Sequence, residues 1–117
     1  MINSRWLILD ELIKKITAFR DARDWGQFHN PKDLAISLNL EASELLELFQ
    51  WKSSEEAIEQ NKDKLQDELA DVLYYVLLIC HDLGIEPKEA LLKKIKKNAD
   101  KYPVEKSYGS KKKYNEF

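Results

Sequence analysis

The chain has 117 residues, enough for a single domain with a substantial core. Its 19 lysine and arginine residues nearly balance 21 aspartate and glutamate residues, so the formal net charge is −2 and wholesale electrostatic binding to a nucleic acid polymer is not indicated. Only three glycines and three prolines, among many leucine, lysine, glutamate and alanine residues, indicate an all-helical protein.

The first two helices are predicted from apolar periodicity and from capping residues. Apolar residues recur at helical spacing from about Trp6 to Arg23, which indicates a first amphipathic helix. Residues 24–29 interrupt this period and include a glycine, so we expect a loop there. Asn30 then supplies an N-cap and Pro31 a first-turn proline for a second helix, which we expect to end near Gln50.

The second half of the chain carries equally clear start and stop signals. Residues 53–56 have the capping-box spacing and are expected to open a short third segment. A long helix is predicted from about Lys62 to Leu83, ending at Gly84, which suits the position just after a helix. Pro87 opens a final helix that we expect to end near Lys101.

These elements predict a four-helix bundle with short connections. The centre of its third long helix, Val72 to Cys80, is apolar on nearly all sides. A single amphipathic layer cannot bury such a helix, so it is either central in the bundle or covered by a partner subunit. We assign residues 1–103 to one helical domain and residues 104–117 to a basic, flexible C-terminal tail.

The sequence shows no sign of export or of insertion into a membrane. The N-terminus has no basic segment followed by a long apolar core, and the longest apolar run is far too short to span a bilayer. The single cysteine, Cys80, cannot form an internal disulfide. We therefore expect a cytoplasmic protein.

Two acidic pairs are the most informative feature of the chain. Glu41 and Glu44 form one pair, and Glu68 and Asp71 form the other. Residues three apart on a helix share a face, and carboxylates within apolar stretches are costly to keep ionised without a partner. Two such pairs facing each other would form an oxygen-rich cage for a hard divalent cation, as metal-assisted phosphate chemistry requires. Alternatively, the pairs are structural, and the chain is a non-catalytic helical interaction protein or a nucleotide-binding protein.

The ligand types favour Mg²⁺, with Mn²⁺ as the other possibility, over iron or zinc. Di-iron bundle proteins also use helical carboxylates, but they add glutamate–histidine pairs three residues apart. Neither His29 nor His81 has a glutamate at that spacing. Mg²⁺ keeps coordination positions open for water and phosphate oxygens, which suits a nucleotide substrate.

Aromatic residues form a second cluster near the acidic helix. Trp25, Phe28 and His29 lie in the predicted loop, and Trp51 follows Glu44 by two helical turns. Exposed aromatic side chains near a metal site can stack on a nucleotide base. Taken singly, each is more often a core or boundary residue.

These features together resemble a known family. Residues 41–51 (EASELLELFQW) and 66–75 (QDELADVLYY) resemble the MazG-like all-α nucleoside triphosphate pyrophosphohydrolases, and within them the dCTP pyrophosphatase subgroup. Residues 23–29 (RDWGQFH) resemble the substrate loop of that subgroup. Residues 98–103 and 110–114 resemble its C-terminal elements.

The resemblance implies an enzyme, a nucleoside triphosphate diphosphatase that assembles as a homodimer or homotetramer with sites at subunit interfaces. Its expected substrate is dCTP or a related or modified dNTP, cleaved to the monophosphate and pyrophosphate. It implies Mg²⁺ bound by the four catalytic carboxylates, Glu41, Glu44, Glu68 and Asp71. It also implies contacts to the nucleoside by Trp25, Gln27, Phe28, His29, Trp51 and Tyr75, and to the phosphates by Lys94, Asn98 and Lys101.

The mechanism expected from the residues agrees with this resemblance. A water activated by Mg²⁺ attacks the α-phosphorus, and pyrophosphate leaves with its charge spread over metal and lysine. Either Glu44 or Glu41 orients the water, and the sequence leaves that choice open. The preferred base is open as well, because Ile16 occupies a position where some dCTP-specific relatives carry a histidine.

Overall fold

The structure is a computed structural model that describes the backbone of residues 4–117 and the side chains from residue 9 onward. Every regular element in this range is helical, so the predicted all-α class is confirmed. The chain divides into two compact units, with the boundary between Ile85 and Glu86. None of the helices described is both long enough and apolar enough to cross a membrane, and a cytoplasmic location stays a prediction.

The first unit contains three helices and one short turn. They are α1 (Ser4–Asp21), a 3-10 turn (Trp25–Phe28), α2 (Pro31–Glu47) and α3 (Ser54–Leu83). Helices α2 and α3 form the main packing pair, whereas α1 packs on α3 over a shorter length. The first two predicted helices and the loop between them are therefore present, and the 3-10 turn lies within that loop.

Helix α2 begins where its capping residues predict. The Asn30 side-chain oxygen accepts a hydrogen bond from the Asp33 backbone N–H at 2.9 Å, and Pro31 occupies the first helical turn. The helix ends at Glu47, three residues before the predicted Gln50, because the chain continues through turns. Trp51 then adopts a φ of 61°, a left-handed conformation that cannot continue the helix.

Helix α3 joins two segments that the sequence separates. Ser53 caps it as predicted, since the Ser53 hydroxyl accepts from the Glu56 N–H at 3.1 Å. The predicted break before Lys62 is a kink inside one 30-residue helix, at Asn61 with φ −126° and ψ 26°. The Asn61 amide donates to the Leu48 carbonyl at 3.2 Å, so the kinked residue holds the α2–α3 connection. The predicted short third segment, followed by a long helix from about Lys62, therefore agrees with the two helical stretches that meet at this kink.

The buried apolar core of the described residues is small. Its fully buried members are Leu34, Ala57, Leu77 and Leu78. Other apolar residues on the long helices stay open, including Leu69 and Leu73, which are 54% and 46% exposed. Helices α1 and α2 thus leave part of the apolar centre of α3 uncovered, and apolar surface of this kind is typical of an interface.

The second unit begins with α4 (Pro87–Lys101), whose bounds agree with the prediction, and continues with α5 (Val104–Ser107) and a 3-10 turn (Tyr114–Glu116). The Tyr102 ring packs edge-to-face against Tyr114 and Phe117, with centroid distances of 6.0 and 5.9 Å. The chain end therefore folds back on the residue that follows α4. The flexibility expected for residues 104–117 stays a prediction.

Candidate functional site

The packing of α2 against α3 brings the two acidic pairs together. One carboxylate oxygen each of Glu41, Glu44 and Glu68 lies within 4.8 Å of the other two. Asp71 is outside this close group but near enough that its charge helps to raise the pKa of both Glu41 and Glu68. The structure therefore places all four predicted carboxylates in one region, three of them in close proximity.

The acidic cluster has an electrostatic cost in the absence of a cation. Burial, which is the largest cause, a hydrogen bond with Glu44 and the charges of Glu44, Asp71 and Glu68 together raise the pKa of Glu41 to about 7. Burial is also the main cause that raises the pKa of Glu68, followed by Glu44. Each of these changes reflects the difficulty of crowding negative charge away from water.

The inner oxygens of the cluster are suited to a metal. The Oε2 atoms of Glu41 and Glu68 are buried and have no hydrogen-bond partner in the described part of the protein. Buried carboxylate oxygens are normally hydrogen-bonded, paired with a cation or bound to a metal. All donors in the cluster are oxygens, the ligands that Mg²⁺ and Mn²⁺ prefer. The residues present therefore fit the divalent cation predicted from the sequence.

The raised pKa of Glu41 predicts how the stability of the metal-free protein depends on pH. The folded pKa of about 7 exceeds the ordinary value of 4.5, so the folded state binds the proton more tightly than the unfolded chain does. This contribution to stability is complete below the ordinary value and is lost as the pH rises through the folded value. We expect the melting temperature of the metal-free protein to fall between about pH 5 and about pH 8.

Mg²⁺ should oppose this trend, because it replaces the proton and its binding releases one. The measurement is thermal denaturation across this pH range with EDTA or with Mg²⁺. The Glu41→Gln variant is the control and should lose this component of the pH dependence. A wild-type melting temperature that is flat or rises in EDTA would contradict the prediction.

An aromatic cavity of about 460 Å³ opens beside the acidic cluster. Its walls include Glu41 and Asp71 from the acidic pairs. They also include three residues predicted to contact the nucleoside, Trp25, His29 and Tyr75. The same opening therefore joins the carboxylates to much of the predicted nucleoside site. Its other described lining residues are Leu12, Lys15, Ile16, Phe19 and Tyr74.

Edge-to-face contacts order the aromatic wall. Phe19 of α1 lies 5.7 Å from Trp25 and 6.3 Å from Tyr74, and Tyr74 lies 5.0 Å from Tyr75, all between ring centroids. The Arg23 guanidinium carbon lies 3.7 Å from the Phe19 ring centroid. Such contacts hold the rings in place, so the wall is preformed and can accept a flat base.

Apart from Ile16, whose position bears on the base preference, the wall residues that α1 supplies were not predicted from the sequence. The apolar spacing of Leu12 and Phe19 indicates the buried face of an amphipathic helix, and a helix that lines a pocket has the same period. Tyr74 could have been predicted as a lining residue, because it lies three residues after Asp71 and hence on the same helical face. Nothing in the sequence marks Lys15 as a lining residue.

Three of the residues predicted to contact the nucleoside lie outside this cavity. The Gln27 amide donates to the Asp24 backbone carbonyl and carboxylate at 3.0 and 2.9 Å, so it holds the loop together. Phe28 is largely exposed, and Trp51, on the α2–α3 connection, is 92% exposed. The proposed roles of all three toward the nucleoside stay predictions.

The predicted phosphate contacts lie on one face of α4 in the second unit. Lys94, Asn98 and Lys101 are spaced by four and then three residues, which aligns them along the helix. The Asn98 carbonyl accepts from the Tyr102 N–H at 2.8 Å, and the Lys101 ammonium lies 4.9 Å from the Tyr114 ring centroid. Their contact with phosphate stays a prediction.

Comparison with known proteins identifies the family. The MazG-like family model matches residues 36–117, a range that includes both acidic pairs. The chain belongs to the MazG-like family. The recognition of this family from residues 41–51 and 66–75 is therefore confirmed.

Relatives of this MazG-like chain come from animals and from an archaeon. The proteins named dCTP pyrophosphatase 1 from Mus musculus and Homo sapiens are 37% and 35% identical to it over 114 residues, which is 93% of this chain and 67% of theirs. A crystal structure of a pyrophosphatase from Archaeoglobus fulgidus has 45% sequence identity and a TM-score of 0.76. The match covers 80% of this chain and 91% of the archaeal one, so the likeness extends to the fold.

Proposed function

We propose that this MazG-like protein is a Mg²⁺-dependent pyrophosphohydrolase that converts a deoxynucleoside triphosphate, dCTP or a related or modified dNTP, to the monophosphate and pyrophosphate. One observation carries the proposal: carboxylates from two helices converge beside an aromatic cavity, with buried oxygens that lack a partner in the described structure. The relatives named dCTP pyrophosphatase and pyrophosphatase support the enzyme class.

The cavity suits a nucleoside in size and chemistry. Its volume of about 460 Å³ lies within the range of roughly 300–1,000 Å³ for small-molecule sites. The Trp25 and Tyr75 rings offer surfaces on which a base stacks. The His29 Nδ1 atom is buried without a hydrogen-bond partner among the described residues, so it is available to a polar edge of the base or sugar.

The carboxylates divide the chemical work. Glu41 and Glu68, with their buried inner oxygens, would hold the cation together with Asp71. When bound, Mg²⁺ neutralises charge on phosphate oxygens and makes a water more acidic. Glu44 is the exposed member of the close cluster and can accept a proton from an incoming water. The water oxygen bonds to the α-phosphorus, the bond from that phosphorus to the bridging oxygen breaks, and pyrophosphate leaves.

The exposed apolar residues of α2 and α3 support an oligomer. Leu40 and Leu46 of α2, like Leu69 and Leu73 of α3, are exposed in the single chain. Burying them against a second copy in a homodimer or homotetramer would remove apolar surface from water. We propose that Trp51, which lies outside the cavity of its own subunit, then contacts the nucleoside bound by a neighbour.

The products and the position of attack test this proposal. With dCTP and Mg²⁺ we expect equal amounts of dCMP and pyrophosphate, and no turnover in EDTA. In water enriched in oxygen-18, attack at the α-phosphorus places the label in dCMP, and mass spectrometry of both products locates it. Label in pyrophosphate would mean attack at the β-phosphorus, and dCDP with inorganic phosphate would mean attack at the γ-phosphorus.

The structural alternative makes the opposite prediction. If the acidic pairs only set the register of the helices, no dNTP is hydrolysed and Mg²⁺ leaves the melting temperature unchanged. A dNTP panel assayed with and without Mg²⁺ separates the two functions in one experiment.

A further inference from the structure

We propose that Arg20 and Asp82 form a positioning pair that fixes the nucleoside-binding half of the cavity and thereby sets affinity for the nucleotide, without touching it. This inference rests on the proposed function, because it assigns the pair a role in nucleotide binding. The pair is well formed: the Arg20 Nη1 and Nη2 atoms donate to the two Asp82 carboxylate oxygens at 2.8 and 3.0 Å. Arg20 is only 8% exposed.

The pair ties the ends of two helices. Arg20 is the second-last residue of α1, and Asp82 is the second-last residue of α3, 62 residues later. Within the part of the chain with described side chains, no other salt bridge is present. Because α1 packs on α3 over a short length only, this contact and the packing of Phe19 on Tyr74 are the ones that hold the described end of α1.

The end of α1 matters because one half of the cavity depends on it. Six of the ten described lining residues belong to α1 or to the loop that follows it, and Phe19, Trp25 and His29 are among them. The other half, with Glu41 and Asp71, belongs to α2 and α3. Arg20 therefore connects the nucleoside-binding half to the helix that carries part of the acidic cluster.

The loop that follows α1 in the sequence also lies against the Arg20–Asp82 pair in space. A Cβ placed on Gly26 would come within 4.0 Å of the Arg20 Nε atom, so the backbone of the 3-10 turn passes over the guanidinium. The hydrogen bond from Arg20 is the first cause that lowers the pKa of Asp82, and the charges of His81 and His29 also lower it. The beginning and the end of the turn are thus both near the pair.

The fork geometry accounts for the choice of arginine. Two parallel hydrogen bonds fix the direction of α1 as well as its distance from α3, and a lysine would supply a single point of attachment. Removal of one partner would leave a charge with little access to water, whereas replacement of both by apolar residues avoids that penalty. These differences allow a positioning role to be separated from a general contribution to stability.

Three variants test the inference. In Arg20→Lys and in the double variant Arg20→Met/Asp82→Leu we expect KM for dCTP to rise about tenfold while kcat stays within about twofold, because the carboxylates do not move. The double variant keeps the test valid if Arg20→Lys folds poorly. Thr17→Ala is the matched control: it also removes a side-chain hydrogen bond of α1, but one that stays within that helix, and it should leave KM unchanged.

Two further measurements do not depend on turnover. Backbone hydrogen exchange should accelerate for residues 22–29 in the Arg20 variants and not in Thr17→Ala. Calorimetry should show the same rise in Kd for dCTP as in KM. An equal rise of KM in Thr17→Ala, or unchanged KM and Kd in the Arg20 variants, would overturn the positioning role.

The proposed function and this inference fail in different ways. A wild-type protein that binds dCTP but does not hydrolyse it rejects the proposed reaction, and the positioning role then stands or falls on Kd alone. A wild-type protein that neither binds nor hydrolyses dCTP or any other dNTP overturns both.

Discussion

Glu44→Gln should reduce turnover about a thousandfold or more while leaving the helical fold intact. The side chain keeps its size and loses the charge that accepts a proton from the attacking water and that belongs to the cluster proposed to hold the metal. Glu44 also raises the pKa of Glu41 and of Glu68, so its neutralisation relieves repulsion in the metal-free protein. We therefore expect an unchanged or higher melting temperature in EDTA, together with weaker binding of Mg²⁺.

The control for this prediction lies one turn further along α2. Glu47→Gln removes the same charge from the same helix, but outside the close cluster, and should retain activity. Steady-state kinetics over a range of Mg²⁺ concentrations and thermal denaturation in EDTA make the comparison. Normal activity of Glu44→Gln at ordinary Mg²⁺ concentrations would remove Glu44 from the site. A large fall in its metal-free melting temperature would favour a structural role for the acidic pairs.

Local chemistry explains why most helix boundaries were predictable. Asn30 at the start of α2, Ser53 at the start of α3 and Gly84 after its end each act through neighbouring backbone groups. The break before Lys62 was predicted as well, but the contact that holds the kinked residue was not. A capping box shows where a helix begins, but the amide that joins Asn61 to Leu48 depends on how α2 packs, which no local pattern records.

The residues of the site likewise fall into those that a local sequence pattern predicts and those that only tertiary packing brings together. The acidic pairs were identifiable because helical spacing fixes which face a side chain occupies, and the packing of α2 on α3 then brings them together. The Arg20–Asp82 pair was not identifiable, because 62 residues separate its members and neither carries a distinguishing pattern. Most of the pocket wall on α1 was not identifiable for a different reason: its apolar period is that of an ordinary core-facing helix.

Trp51 combines two unusual properties in the structure. Its side chain is 92% exposed, and its backbone φ of 61° lies in the left-handed region that bulky residues rarely adopt. Such a conformation costs free energy and is typical of positions held for function. The surface position is suited to contact with a neighbouring subunit, which is the role that we propose for Trp51.

Trp51→Ala should accordingly raise KM for dCTP by roughly one to two orders of magnitude, because a base stacked on an aromatic ring contributes about 1–3 kcal/mol. The value of kcat should change less, because the position of the attacking water depends on the carboxylates. Kinetics with several dNTPs make the measurement, and Tyr108→Ala, which also truncates an exposed aromatic residue but one outside the proposed site, is the control. An unchanged KM for every dNTP would place the base pocket elsewhere.

A mixing experiment decides whether Trp51 acts across the subunit interface. Asp71→Asn should be inactive because a carboxylate of the site is lost. Trp51→Ala should be nearly inactive when the dCTP concentration is far below the raised KM of this variant. If each site takes its carboxylates from one subunit and Trp51 from the other, a mixed dimer contains one intact site and one doubly altered site. Random exchange of equal amounts should then restore about a quarter of the wild-type sites.

The two variants are denatured together and refolded to allow exchange, and each refolded alone is the control. If wild-type protein recovers its activity under the same treatment while the mixture does not, Trp51 acts within its own subunit or not at all.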